Sequence, residues 1–166
     1  MAEGEFALVR EHLEAALLQT AEWVGDHDLY AMLVDAAALE GDLPALQRYA
    51  PLAEQSAVRY DHRLYQAIAH RAFGVAHRLA GEHGHAETRL TQALDLLADL
   101  DARWQMGRTH FELGALARAR ADRSGAEGHF HRALADFERQ GAAPDILRTQ
   151  AALAELGNAP VEAGHR

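Results

Sequence analysis

Cysteine is absent from the 166 residues. Its absence excludes a disulfide framework and any thiolate metal site, and it suits a reducing interior. Lysine is absent too, so all 16 basic residues are arginine, a bias that reads first as the coding composition of a GC-rich bacterial genome. Prolines number only four and β-branched residues are scarce, whereas alanine, leucine and arginine abound; such a composition favours helices throughout. No apolar run reaches the roughly 18 residues of a membrane-spanning helix, and the N-terminus lacks a basic-then-apolar signal pattern. A basic excess is missing as well: the net charge of −9 disfavours non-specific binding to nucleic acid or to an anionic membrane. The expected protein is soluble and cytoplasmic.

Nucleophiles are equally thin. Ser56 and Ser124 are the only serines; the first falls mid-helix, and the second opens Ser124-Gly-Ala-Glu127, a capping-box pattern. No G-x-S-x-G, phosphate-cradling glycine loop or dinucleotide fingerprint occurs. No catalytic residue and no cofactor are assigned.

What is present is a stretch that occurs twice. Gln66 to Trp104 reads QAIAHRAFGVAHRLAGEHGHAETRLTQALDLLADLDARW, and from Met106 the chain reads MGRTHFELGALARARADRSGAEGHFHRALADFERQGAAP. At an offset of 40, His70 meets His110, Gly74 meets Gly114, Arg78 meets Arg118, Ala86-Glu87 meets Ala126-Glu127, and Ala93-Leu94 meets Ala133-Leu134. Apolar character is kept where identity is not: Phe73 with Leu113, Leu90 with Phe130, Leu97 with Phe137. A fixed period of 20 to 50 residues marks a stacked array, because one unit cannot bury its apolar face alone. The offset extends upstream through Leu46, Ala50, Ala53 and Ala57, and downstream through Arg148, Thr149, Leu153 and Leu156.

Apolar periodicity, with glycine stops and aspartate starts, predicts about eight helices, near 5–24, 27–40, 43–60, 62–80, 85–99, 103–121, 125–140 and 145–156. A frayed tail is expected over 157–166. The expectation is one all-α domain spanning 1–166. It begins with the second helix of a unit and ends with the first helix of another.

The repeat resembles the tetratricopeptide repeat, in the longer form of bacterial regulators of the MalT-like and LuxR-type ATPase class. The resemblance rests on Phe73-Gly74 and Leu113-Gly114 in the first helices, Ala86 and Ala126 early in the second, and then Leu90 with Ala93 and Phe130 with Ala133. It covers 62–145 most closely. Small residues let two backbones approach while a large neighbour fills the gap. His70 and His110 stand where the family has a large aromatic residue, the family's later proline is missing, and the extra residues of the 40-residue spacing are expected in the second helix and its exit turn.

That resemblance implies a right-handed α-solenoid of antiparallel helix pairs whose first helices line a concave groove. By the family pattern the groove positions are Ile68, Arg71, Val75 and Arg78, then Arg108, Phe111, Ala115 and Arg118, and last Arg148 and Ala151. Spacings of 3, 4 and 7 put each set on one helix face. Arginines there suit carboxylates or phosphates; the competing reading is a solvated face whose arginines pair with nearby acids such as Asp28 and Asp35. The family's clamp for a C-terminal carboxylate is excluded, because Val75 and Ala115 stand where it needs asparagine. The implied activity is non-catalytic binding of a protein or peptide, in the sensory or scaffolding part of a regulator. The alternatives are a small anionic effector on the same arginines, or self-association into a homodimer through an end helix at Leu13, Leu17 and Trp23.

Eleven histidines raise the question of a metal. His83 and His85 are placed at a turn with His77 nearby, and His129 and His131 lie two apart on a helix, where side chains diverge by about 200°. No H-E-x-x-H set occurs, so no metal ligand is assigned. His70 and His110, at one repeat position, are expected to pack between helices.

Overall fold

A computed structural model describes residues 3–19 and 26–158, without the side chains of 3–7 and 17–19. Among the described residues there are eight helices and no strand: α1 (Glu3–Gln19), α2 (Asp26–Glu40), α3 (Leu43–Arg59), α4 (Arg63–Leu79), α5 (His83–Asp99), α6 (Arg103–Ala119), α7 (Arg123–Gln140) and α8 (Ala143–Asn158). Every connection after α2 is two or three residues long; within each pair α2–α3, α3–α4, α4–α5, α6–α7 and α7–α8 such a short link makes the two helices antiparallel.

The turns recur every 20 residues. Gly41, Asp61, Gly81, Asp101, Ala121 and Gly141 all have positive φ, between 48° and 79°. Each closes a Schellman motif: the amide of the following residue donates back to the carbonyl five before it, as in Glu82 to His77 at 2.8 Å and Asp122 to Ala117 at 2.9 Å. Glycine or aspartate takes the left-handed conformation cheaply; Ala121 does so at a cost of about 1–2 kcal/mol. The regular spacing corrects one expectation. In the clear repeats α4, α5 and α6 have 17 residues each and α7 has 18, so the second helix is not markedly longer than the first and the long period is not gained there alone.

Two further corrections are local. The cap of α7 is Asp122, whose carboxylate accepts from the amide of Gly125 at 2.9 Å; Ser124 lies inside the helix and is not the cap. Gly157 and Asn158, expected in the tail, belong to α8. Pro51 sits within α3 without ending it.

The helices fall into two compact units, Met1–Ala102 and Arg103–Arg166. In the first, Leu33, Val34, Leu46, Tyr49, Ala50, Ile68, Ala72 and Val75 form the core. Alanine at the crossings brings α2, α3 and α4 close, and Leu90 closes over Gly74, where an added Cβ would lie 2.5 Å from Leu90 Cγ. In the second, Phe130 packs with Ala117, Ala126, Ala152 and Leu156. There Phe130 closes over Gly114, with an added Cβ 2.7 Å from the ring, and Phe137 covers Gly107 at 2.9 Å. No helix among the described residues is long and apolar enough to cross a membrane.

Candidate functional site

In the first unit the face expected to bind is tied up internally. Arg71 is buried, 3% exposed, and its guanidinium donates to Asp35 at 3.0 Å across α2 and α4. Val75 is fully buried in the core. Arg78 is partly exposed near the end of α4. The Tyr65 hydroxyl donates to Asp28, and burial, with that bond to a carboxylate, pushes its pKa up to about 12. Asp35 therefore pairs with an arginine as the competing reading expected, but that arginine is buried and not on a solvated face, and Asp28 takes a tyrosine instead.

The N-terminal helix is held similarly. Tyr49 donates to Glu14, and burial with this bond raises the phenol to about 12. Arg10 bridges Glu40 at 2.5 Å and Asp42 at 2.9 Å. Leu13, placed by the sequence at a possible oligomer edge, is buried in the core of this unit. The side chains of Leu17 and Trp23 lie outside the described residues.

The second unit builds a different surface from α6 and α8. Trp104, 40% exposed, donates its indole N–H to Asp145 at 2.9 Å, and the guanidinium of Arg108 lies 5.0 Å above its ring. Arg148 stacks 3.9 Å over Phe111, itself packed on Phe130 with ring centroids 5.2 Å apart. Arg118 donates to Glu155 at 2.8 Å. An arginine on an aromatic face gains about 0.5–2 kcal/mol and keeps its planar edge directed sideways. Phe111, Arg118 and Arg148 thus share one α6–α8 face, while Arg108, against the Trp104 ring, is itself only 9% exposed. Trp104 and Asp145 join them, neither of which the repeat pattern had placed in the groove.

His70 and His110 are half-buried between the two helices of their repeats, the packing position expected. Arg89 approaches His70 Nδ1 to 2.8 Å and Glu54 at the same time; burial first, then the Arg89 charge, lowers the His70 pKa while Glu54 opposes. His110 Nδ1 lies 3.3 Å from His129 Nδ1. Burial, then the neighbouring His129 and Arg132, lowers its pKa to about 4.

Between α2 and α3 a recess of about 160 Å³ is lined by Asp26, Tyr30, Ser56, Arg59 and Tyr60 among others. Sites for organic ligands usually span roughly 300–1,000 Å³, so this one is too small for a typical effector.

The crystal structure of BtubC (BKLC) from P. vanneervenii resembles this chain, with a TM-score of 0.62 and 18% identity, over 99% of this chain and 79% of the other. At that identity the likeness is one of fold. No family model matches the sequence, and no curated protein does.

Proposed function

We propose that the chain is a non-catalytic protein-interaction module of a cytoplasmic bacterial regulator, and that its α6–α8 face receives a peptide or helix carrying acidic and apolar side chains. One observation carries this reading. Trp104 and Phe111 stand on the same helix face, each under an arginine, with α8 braced against α6 by Asp145 and Arg148. Aromatic and arginine side chains are the types that dominate binding energy at interfaces, since they bury large area with little entropy loss. Arginine also recognises carboxylates bidentately. The resemblance to tetratricopeptide repeats supports the same face, the first-helix side of each pair. A surface of this kind fits a docked helix or extended segment, with apolar groups over the rings and acids at the guanidinium edges.

The test uses a displayed peptide library selected on the intact chain, with the selected peptides measured again on Trp104→Ala and Arg148→Glu. Peptides that carry acids beside apolar residues and bind each variant at least tenfold more weakly support the face. Peptides that bind both variants as tightly as the wild type place the site elsewhere. Arg71 is unsuited to this test, because its loss would disturb the core of the first unit.

A further inference from the structure

Three N-caps occupy one repeat position: Asp42 before α3, Glu82 before α5 and Asp122 before α7. Two of them cap in the ordinary way, Asp42 accepting from the amide of Ala45 at 2.9 Å and Asp122 from that of Gly125 at 2.9 Å. Glu82 makes no capping bond. Its longer carboxylate turns aside, reaching His77 Nδ1 at 2.5 Å and His85 Nδ1 at 3.8 Å. The imidazole rings of His77 and His85 are 5.3 Å apart. One donor atom from each of the three residues lies within 4.8 Å of the others.

The backbone accounts for the meeting. His77 and Glu82 are the two residues joined by the Schellman hydrogen bond at 2.8 Å, positions whose side chains usually touch through apolar groups. Glu82 and His85 are the N-cap and third residue of α5, the pair that faces in a capping box. A single rigid turn therefore presents two imidazoles and a carboxylate, in a part of the chain where the backbone has little freedom to scatter them. At the other two turns the histidine positions are held by Ala37 and Ala45, and by Ala117 and Gly125, so this donor set belongs to one turn only. The sequence set His77 near His85 without Glu82, because H-x₄-E-x₂-H crosses a helix end and its geometry depends on the left-handed Gly81.

We propose that His77, Glu82 and His85 form a three-donor site for a divalent first-row transition-metal ion, Zn²⁺ foremost. Two imidazoles and one carboxylate are donors that suit such ions over Mg²⁺ or Ca²⁺, which favour oxygen alone. The spacing requires only small side-chain rotations to reach metal–donor distances of about 2.0–2.2 Å, and side-chain exposures of 28%, 53% and 77% for His77, Glu82 and His85 leave room for them. The ion replaces the His77–Glu82 contact and joins the last turn of α4 to the first turn of α5. A fourth position stays open to water or to a donor from another molecule.

The experiment is a Zn²⁺ titration of the untagged full chain against a chromophoric chelator, alongside His85→Ala, Glu82→Gln and, as a control, His131→Ala. Helicity by circular dichroism checks each variant. The expected result is one equivalent bound by the wild type and by His131→Ala, and affinity at least tenfold lower in His85→Ala and Glu82→Gln. Amide NMR shifts on Zn²⁺ addition should centre on residues 77–87. The proposal is overturned if the wild type binds no Zn²⁺, if His85→Ala binds as tightly as the wild type, or if equimolar Mg²⁺ displaces the ion.

Discussion

The two clear repeats solve one packing problem with different side chains. In α4–α5, Gly74 lies under Leu90; in α6–α7, Gly114 lies under Phe130. Two turns along, Ala67 and Leu97 occupy the positions that the second repeat gives to Gly107 and Phe137. At that second pair the larger ring meets the smaller partner, so volume is traded between positions, whereas the glycine at 74 and 114 is kept under side chains of different size. The polar positions diverge further. Arg71 of the first repeat forms a buried ion pair with Asp35, while the matching Phe111 of the second receives Arg148 on its ring. The apolar crossings hold the fold constant; the faces around them are free to specialise.

The largest expected effect tests the crossing. Phe130→Ala removes a fully buried ring and should cost about 3–5 kcal/mol; Leu90→Ala should cost about 2–5 kcal/mol, both read by urea unfolding. Gly114→Ala sharpens the comparison, because its effect should change sign. In the native background the new Cβ meets the Phe130 ring at 2.7 Å, and the overpacking, about 1–3 kcal/mol, outweighs or cancels the helix propensity gained. Beside Phe130→Ala the space is open, and the same substitution should stabilise by up to about 1 kcal/mol. Equal effects in both backgrounds would mean that the ring is not what excludes a side chain at Gly114.

A smaller effect separates the arginines. Arg71→Met removes the 3.0 Å bond to the partly buried Asp35 and should cost about 2 kcal/mol, since losing a charged hydrogen bond inside a protein costs about 1.5–3 kcal/mol. Arg118→Met breaks an exposed pair with Glu155 and should cost less than about 1 kcal/mol. Thermal unfolding of the two variants decides it; comparable losses would erase the distinction between a structural arginine and a surface one.

These contrasts also explain what the sequence revealed. The fold was legible because the signals are strong and repeated: glycines at 41, 81 and 141, apolar residues at a fixed period, and small residues opposite large ones. Helix ends were read to within about two residues, apart from the expected end of the first helix at 24, which lies outside the described residues, and Ser124 mimicked the cap that Asp122 supplies. The candidate surface was only partly legible. The resemblance to the tetratricopeptide repeat grouped Arg108, Phe111, Arg118 and Arg148, but a repeat pattern treats all positions of one face alike. It cannot tell that Arg71 turns inward to Asp35, that Val75 is core, or that Trp104 completes the α6–α8 face. The His77–Glu82–His85 cluster was half legible: the sequence set His77 near the turn that holds His85, but Glu82 joins them only because the left-handed Gly81 folds the end of α4 against the start of α5.

The smallest effect concerns His70 and His110, which share a repeat position but not an environment. Both pKa values are lowered, so each ring is held neutral in the folded chain while the unfolded chain binds a proton near pH 6.5. Stability from this source is full above pH 6.5. It falls as the pH drops below 6.5, because the unfolded state then holds more protons, and for His110 the fall continues toward about 4. His110 faces a second imidazole and Arg132, with no carboxylate among the causes of its shift; His70 faces Arg89 but also Glu54, whose charge acts the other way. His110→Gln should therefore flatten the decline between pH 6.5 and 5 more than His70→Gln does. Each slope stays below the single-proton limit of about 1.4 kcal/mol per pH unit, since both rings retain some contact with water. Urea midpoints of the wild type and both variants across that window supply the measurement. If the two variants flatten the curve equally, Glu54 does not offset Arg89, and the two histidine sites are electrostatically the same despite their different neighbours.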